Sequence, residues 1–171
     1  MTDIQTKLNR IKLVILDVDG VLTDDTVFIG PEGMEFKRFC IADGLGIHIA
    51  KRYSINVAFL SGRPSPATEI RARELGVVDI FQKPVDKLDY YEQLKAKYDL
   101  DDENIAYVGN DLVDVGVMRK CGLSISVPDS PVTVHQAADY VTARKGGFGA
   151  VREILDMILE ARGIKEEDRL A

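Results

Sequence analysis

Two carboxylates two residues apart open the run Asp17-Val18-Asp19-Gly20-Val21-Leu22-Thr23-Asp24, directly after the apolar segment Ile11–Leu16. An ionised carboxylate at the end of a buried strand is costly unless something compensates its charge. A divalent cation is the natural compensator, and Mg²⁺ favours carboxylates, water and phosphate oxygens. The bland alternative is a polar turn with a solvated Asp pair, and the apolar run ahead of this motif weighs against it. A second group, Ser61-Gly62-Arg63, follows the apolar run Val57–Leu60. A small hydroxyl before Gly lets backbone N–H groups approach an anion. Lys87 opens a helical stretch after Lys83-Pro84-Val85-Asp86, and alone it would read as a solvated surface lysine. The fourth group, Val108-Gly109-Asn110-Asp111-Leu112-Val113-Asp114, again follows an apolar run. Its oxygens could complete a magnesium site with Asp17. Asn and Asp are also favoured helix N-caps, and one residue can cap while another binds metal.

These groups need strands that end together. Apolar, β-branched runs occur at Ile11–Leu16, Ile55–Leu60, Val77–Phe81, Ile105–Val108, Leu123–Val127 and Tyr140–Val141. Continuous apolar runs of this length suit strands buried on both faces of a parallel sheet. Between them, Leu88, Tyr91, Leu94 and Tyr98 recur at helical spacing and predict a helix from about Lys87 to Tyr98. Gly76 reads as the C-cap of a helix starting near Pro66, and Gly122 as the cap after Met118–Cys121. Val151, Ile154, Leu155 and Ile158 form one face of a last helix, Ala150–Ala161. The alternation predicts an α/β fold, a doubly wound, mostly parallel Rossmann-like sheet with right-handed crossovers. One segment breaks it. Thr26–Ile29 and Met34–Phe39 flank Gly30-Pro31-Glu32-Gly33, which suits a type I turn. This predicts a β-hairpin flap at about residues 25–40, projecting over the carboxyl ends of the strands, where ligands bind in such folds.

Length and composition bound the rest. The chain has 171 residues with ordinary apolar and charged fractions, so a single domain over 1–171 is expected. There are 22 basic and 28 acidic residues, a net charge of −6, and no long basic stretch, which argues against a nucleic-acid partner. No run is apolar enough for a membrane span. The polar N-terminus MTDIQTKLNR lacks the core of a signal peptide, so a cytoplasmic location is expected. Cys40 and Cys121 form no disulfide framework and read as small core residues. His135 reads as exposed rather than catalytic, Tyr90 and Tyr91 as helix packing, and the charged tail at about 163–171 as frayed.

Acid, hydroxyl, cation and acid at successive strand ends resemble the haloacid dehalogenase superfamily, and the match covers Ile11 to about Ile158. Within it, Asp43-Gly44-Leu45-Gly46-Ile47, Ser61-Gly62-Arg63 and Gly146-Gly147-Phe148-Gly149-Ala150-Val151-Arg152-Glu153 look like the cap-less branch of 3-deoxy-D-manno-octulosonate 8-phosphate phosphatases. The resemblance implies a phosphatase of sugar-acid phosphates. In that reading Asp17 is the nucleophile, Asp19 the acid and base, and Ser61 and Lys87 the holders of the phosphoryl oxygens. It implies Mg²⁺ on Asp17, the Asp19 carbonyl and Asn110 or Asp111. It implies substrate contacts at Asp43, Gly44, His48, Arg63, Arg71 and Lys87, and a homotetramer in which a neighbouring subunit closes each site. The sequence departs from that pattern in places. Ala42 and His48 stand where the branch carries Arg, Phe148 where its glycine motif reads G-G-R-G, and Asn110 where it has the metal-binding Asp. These departures leave open a phosphatase for a nonulosonate 9-phosphate or another sugar phosphate, or a catalytically silent oligomerisation domain. A receiver-like signalling module also clusters Asp, Ser or Thr and Lys around magnesium. Its phosphorylated Asp ends the third strand, however, not the first.

Overall fold

The structure, a computed structural model, describes residues 3–82 and 86–169. Lys83, Pro84 and Val85, ahead of Lys87, lie outside the described residues, as does the end of the predicted tail. In chain order the elements are α1 (Asp3–Arg10), β1 (Leu13–Leu16), a hairpin of β2 (Phe28–Ile29) and β3 (Glu35–Phe36), α2 (Ile41–Arg52), β4 (Asn56–Ser61), α3 (Pro66–Glu74) and β5 (Asp79–Gln82). There follow α4 (Lys87–Lys97), β6 (Ile105–Gly109), α5 (Val115–Met118), β7 (Leu123–Ser126), α6 (Val132–His135), β8 (Tyr140–Val141) and α7 (Ala150–Ala161). Among the described residues, no helix is long and apolar enough to cross a membrane.

Six strands form one parallel sheet in the order β5-β4-β1-β6-β7-β8. The run Leu13–Leu16 is wholly buried, and its alternating side chains feed two cores. Val14 and Leu16 pack with Ile47, Val151 and Ile154 of α2 and α7 on one face. Leu13 and Ile15 pack with Tyr91, Leu94 and Val117 of α4 and α5 on the other. The chain winds from β1 to β4 and β5, then returns past β1 to β6, β7 and β8. The winding therefore reverses between β1 and β6, and a crevice opens there at the carboxyl ends. The residues after Leu16 and those after Gly109 border it.

The predicted strands and helices α3, α4 and α7 stand where expected, α7 at the expected bounds, whereas α2 had no predicted bounds. The hairpin turn is not type I: Glu32 (φ 59°) and Gly33 (φ 77°) are both left-handed and Met34 N donates to Pro31 O. That is the I′ geometry, whose twist matches the paired strands. Gly122 is no left-handed cap. Its backbone N–H reaches Asp102 O and Ile105 O, and a Cβ there would press to 2.5 Å on Glu103 Cα. The N-terminal segment, read only as polar, forms α1, with Leu8 buried against α7 and Lys7 paired to Asp139 at 2.6 Å. The tail is docked as far as Arg169, which is buried and paired with Asp156 and Glu160.

Candidate active site

Asp17 leaves the end of β1 into the crevice. It is buried, and Val18 N donates to its Oδ1 at 2.7 Å. Its Oδ2 lies 3.0 Å from Lys87 Nζ, at the start of α4. On the β6 side the Asn110 side-chain oxygen lies 3.3 Å from Asp17 Oδ2 and 2.9 Å from the Asp19 carbonyl oxygen. Once Asp17 ionises, these are three acceptors facing one another. Turning the amide over would convert both contacts into hydrogen bonds. A bound cation achieves the same with the amide as it stands, and the spacing fits. With metal–oxygen bonds of about 2.1 Å in an octahedron, adjacent ligand oxygens sit about 3 Å apart. Among the described residues no three His, Cys, Asp or Glu side chains converge to hold a metal. The donor set here is instead one carboxylate, one backbone carbonyl and one amide, all hard oxygens. Gly20 is what lets them approach: its φ is +83°, and a Cβ there would lie 2.0 Å from the Asn110 amide. Of the two metal ligands left open by the sequence, Asn110 faces Asp17. The Asp111 carboxylate instead accepts from Leu112 N at 2.7 Å and lines the rim.

Asp114, wholly buried, holds this corner together. Its Oδ1 accepts from Lys87 Nζ at 2.6 Å and Tyr107 Oη at 2.5 Å. Its Oδ2 accepts from Asn110 N at 2.9 Å and Asp111 N at 3.0 Å. One carboxylate thus orients the cation of α4 and the loop bearing Asn110. Burial, and then repulsion from Asp114, push the Asp17 carboxyl up to about 7 against the pull of Lys87. For Lys87, burial acts to lower the pKa, but Asp17 and Asp114 outweigh it and hold the ammonium above the usual lysine range. Lys87 therefore stays charged, while Asp17 is poised to ionise when a further cation arrives. Such convergence of perturbed groups in a crevice marks a reactive site.

Ser61, at the end of β4, accepts from Arg63 N at 3.1 Å and donates to Arg63 O at 3.0 Å, which fixes its hydroxyl at the mouth. Asp17, Asp19, Ser61, Arg63, Lys87, Asn110 and Asp111 line one cavity of about 160 Å³. A larger concavity of about 570 Å³ lies between the hairpin and α3 and holds none of these carboxylates. The chemistry belongs to the smaller one. The hairpin reaches the site through Glu35, which pairs with Arg63 and Ser65, and through Lys37, whose Nζ lies 2.7 Å from Asp19 Oδ1. Arg38 pairs with Asp24 at 3.0 Å and stacks over the Phe148 ring at 4.1 Å. Phe148, which stands where the resembled branch carries Arg, thus lies under the guanidinium of Arg38.

Other predicted substrate contacts are not brought to Asp17 within one chain. Asp43 is buried, and its Oδ1 accepts from Arg152 N at 2.8 Å at the start of α7. Gly44 packs under Arg71, whose guanidinium turns to Glu74 at 2.9 Å, and His48 is exposed on α2. The Gly146–Gly149 segment approaches its own chain: a Cβ at Gly146 would meet Gly20 O at 1.8 Å. Sequence reasoning missed Lys37, Glu35 and Tyr107. The first two sit in an alternating hairpin strand with no distinguishing pattern, and Tyr107 reads as an ordinary buried aromatic.

Comparison with known proteins follows the same lines. Residues 57–155 match the haloacid dehalogenase-like hydrolases. The 3-deoxy-D-manno-octulosonate 8-phosphate phosphatase of Salmonella typhi is 44% identical over 166 residues, covering 97% of this chain and 88% of that protein. The crystal structure of the same phosphatase from Yersinia pestis superposes with a TM-score of 0.93 at 40% identity, covering 95% of this chain and 88% of that one. That from Moraxella catarrhalis, in complex with magnesium ion, phosphate ion and KDO, gives 0.92 at 39% identity, covering 95% and 94%.

Proposed function

We propose, for a chain that belongs to the haloacid dehalogenase-like hydrolases, that its substrate is 3-deoxy-D-manno-octulosonate 8-phosphate and that it works with Mg²⁺. It is a phosphoric monoester hydrolase. The observation that carries the reading is the convergence of Asp17, the Asp19 carbonyl and Asn110 beside Lys87 and Ser61. Relatives of this substrate class match over nearly the whole chain. Asp17, the Asp19 carbonyl and Asn110 would hold the Mg²⁺, which when bound neutralises repulsion between the carboxylates and the incoming phosphate.

In this reading Asp17 Oδ attacks phosphorus, and the bond to the sugar oxygen breaks. Asp19 gives its proton to the departing alkoxide. Lys87 and Ser61 hold the non-bridging oxygens as charge is redistributed. Asp19 then takes a proton from water, whose oxygen attacks the aspartyl phosphate, and phosphate leaves with Asp17 restored. Asp17 and Asp19 serve one phosphate because side chains two apart in extended chain point the same way.

His48 is exposed on α2, and Arg71 bends over Gly44 toward Glu74 and the Cys40 carbonyl, so neither reaches Asp17 and in this reading they meet substrate across an interface. We place them, with Phe28 and Phe36 of the hairpin, at the contacts of a homotetramer. Phosphate release measured over a panel of sugar-acid phosphates tests the reading. The 8-phosphate should give the highest kcat/KM, and chelation should abolish turnover until Mg²⁺ is restored. A clear preference for a nonulosonate 9-phosphate would replace the substrate. No release from any phosphate, p-nitrophenyl phosphate included, would leave a silent domain.

A further inference from the structure

A cation outside the four motifs reaches the reaction centre from the hairpin. Lys37 follows β3, and its side chain is 0% exposed. A lysine on a surface ribbon normally carries its ammonium out to water. Here the side chain runs inward, and Nζ lies 2.7 Å from Asp19 Oδ1 and 3.4 Å from Thr68 Oγ1. The approach to Asp19 is off the line of a directed hydrogen bond, so the contact is an ion pair, and among the described residues Oδ1 has no hydrogen-bond partner. Burying an ammonium is costly unless it is paired, so the hairpin strand is committed to this contact. Glu35, two residues earlier and facing the same way, is committed likewise to Arg63 and Ser65. Asp19 is the residue of the proposed mechanism whose carboxylate must be aimed at the leaving oxygen, and nothing in its own loop aims it.

We propose that Lys37 is a positioning residue for Asp19. It fixes the carboxylate toward the leaving oxygen, and it stabilises the anion that forms when the Asp19 proton passes to the alkoxide. The ammonium keeps its own protons throughout: the O–H bond of Asp19 breaks, that of the sugar alcohol forms, and the new carboxylate is already paired. This rests on the reading of Asp19 as the general acid.

The experiment compares two leaving groups in the Mg²⁺-loaded enzyme. A sugar alkoxide needs a proton to depart, whereas p-nitrophenolate does not. The rate of leaving-group release is measured in a single turnover for Lys37→Met, Lys37→Gln, Lys37→Arg and Asp19→Asn. General acids contribute about 10²–10⁴ in rate. Lys37→Met and Lys37→Gln should lose about tenfold or more on the sugar phosphate and less than about threefold on p-nitrophenyl phosphate. Lys37→Arg should recover part of the loss, and the retained p-nitrophenyl phosphate activity reports that each variant is folded. Equal losses on both substrates, or no loss on the sugar phosphate, overturn the proposal. If Asp19→Asn itself shows no leaving-group dependence, it is the mechanism that fails. If Asp19→Asn shows it and the Lys37 variants do not, Lys37 alone is misassigned.

Discussion

Asp17 bears two opposed demands, since a nucleophile must be ionised and a buried carboxylate resists ionising. Its pKa, about 7 against 3.8 for the free side chain, expresses the conflict. Asp17→Asn should therefore lower phosphate release by at least about 1000-fold, as nucleophile deletions do, and yet stabilise the metal-free fold. Between pH 3.8 and 7 the folded protein keeps a proton that the unfolded chain has lost, so stability falls as pH rises through this window. The cost is complete above pH 7. Thermal unfolding in chelator should show the variant ahead of the parent at pH 8 and the two converging near pH 4. A variant less stable than the parent at pH 8 counts against the burial argument. Asn110 makes the complementary case. An amide offers an oxygen without charge, and affinity for hard cations rises with ligand charge. Asn110→Asp should lower the Mg²⁺ concentration for half-maximal turnover severalfold, read from a magnesium titration of phosphate release. The carboxylates, Ser61 and Lys87 were legible in the sequence because each ends or follows a buried run that cannot carry a polar group idly. Lys37 was not, because its partner Asp19 lies across the hairpin in the chain, and Tyr107 was not, because a buried strand aromatic carries no sign that its hydroxyl reaches Asp114 seven residues on.

At the scale of elements, what sequence could show was what is periodic. The strands and α7 carry unbroken or regularly spaced apolar residues, and they fold at the expected places. α1 offers only Ile4 and Leu8 on an otherwise polar turn sequence, too little to distinguish a helix from a leader. The tail is held by Arg169, whose four acceptors come from α7 and Ile164, and by Tyr53 Oη, which donates to Asp168 O at 2.8 Å, tertiary matches invisible in a charged run. The same kind of long-range match caps α7. Its N-cap residue, Gly149, has no side chain, and the carboxylate of Asp43 from α2 accepts from Arg152 N instead. Burial raises the Asp43 pKa despite those N–H groups, so the cap is held at some expense. Asp43→Ala should leave the start of α7 unsatisfied and cost about 1–3 kcal/mol, from the desolvation of buried donors. Urea unfolding checks this. If Asp43 instead touches substrate alone, KM rises with stability unchanged.

The whole molecule presents a surface that one chain does not use. Phe28 and Phe36 face each other across the hairpin and are 61% and 55% exposed, while Ile29, registered opposite Glu35, is 66% exposed. An exposed aromatic pair of this kind on a monomer marks a protein interface. Two-stranded ribbons are also marginal alone. Glu35, Lys37 and Arg38 pin it to its own chain. The pair Phe28 and Phe36 takes the face opposite Glu35. Each aromatic ring covered by a neighbour adds on the order of 2 kcal/mol at about 25 cal/mol per Å², and closed symmetry repeats the gain at every copy. The protein should therefore run as a closed oligomer, a tetramer in the proposed reading, at micromolar concentration in light scattering. Phe28→Ser combined with Phe36→Ser should shift it to monomer. The carboxylate cluster lies inside one chain, so the monomer should keep its p-nitrophenyl phosphate activity. It should lose at least about tenfold in kcat/KM on a sugar-acid phosphate, because His48 would then face water instead of a neighbour's crevice. A wild-type monomer that discriminates among sugar-acid phosphates as well as it hydrolyses them would show that each crevice is complete in one chain. The exposed aromatic face would then have some other use.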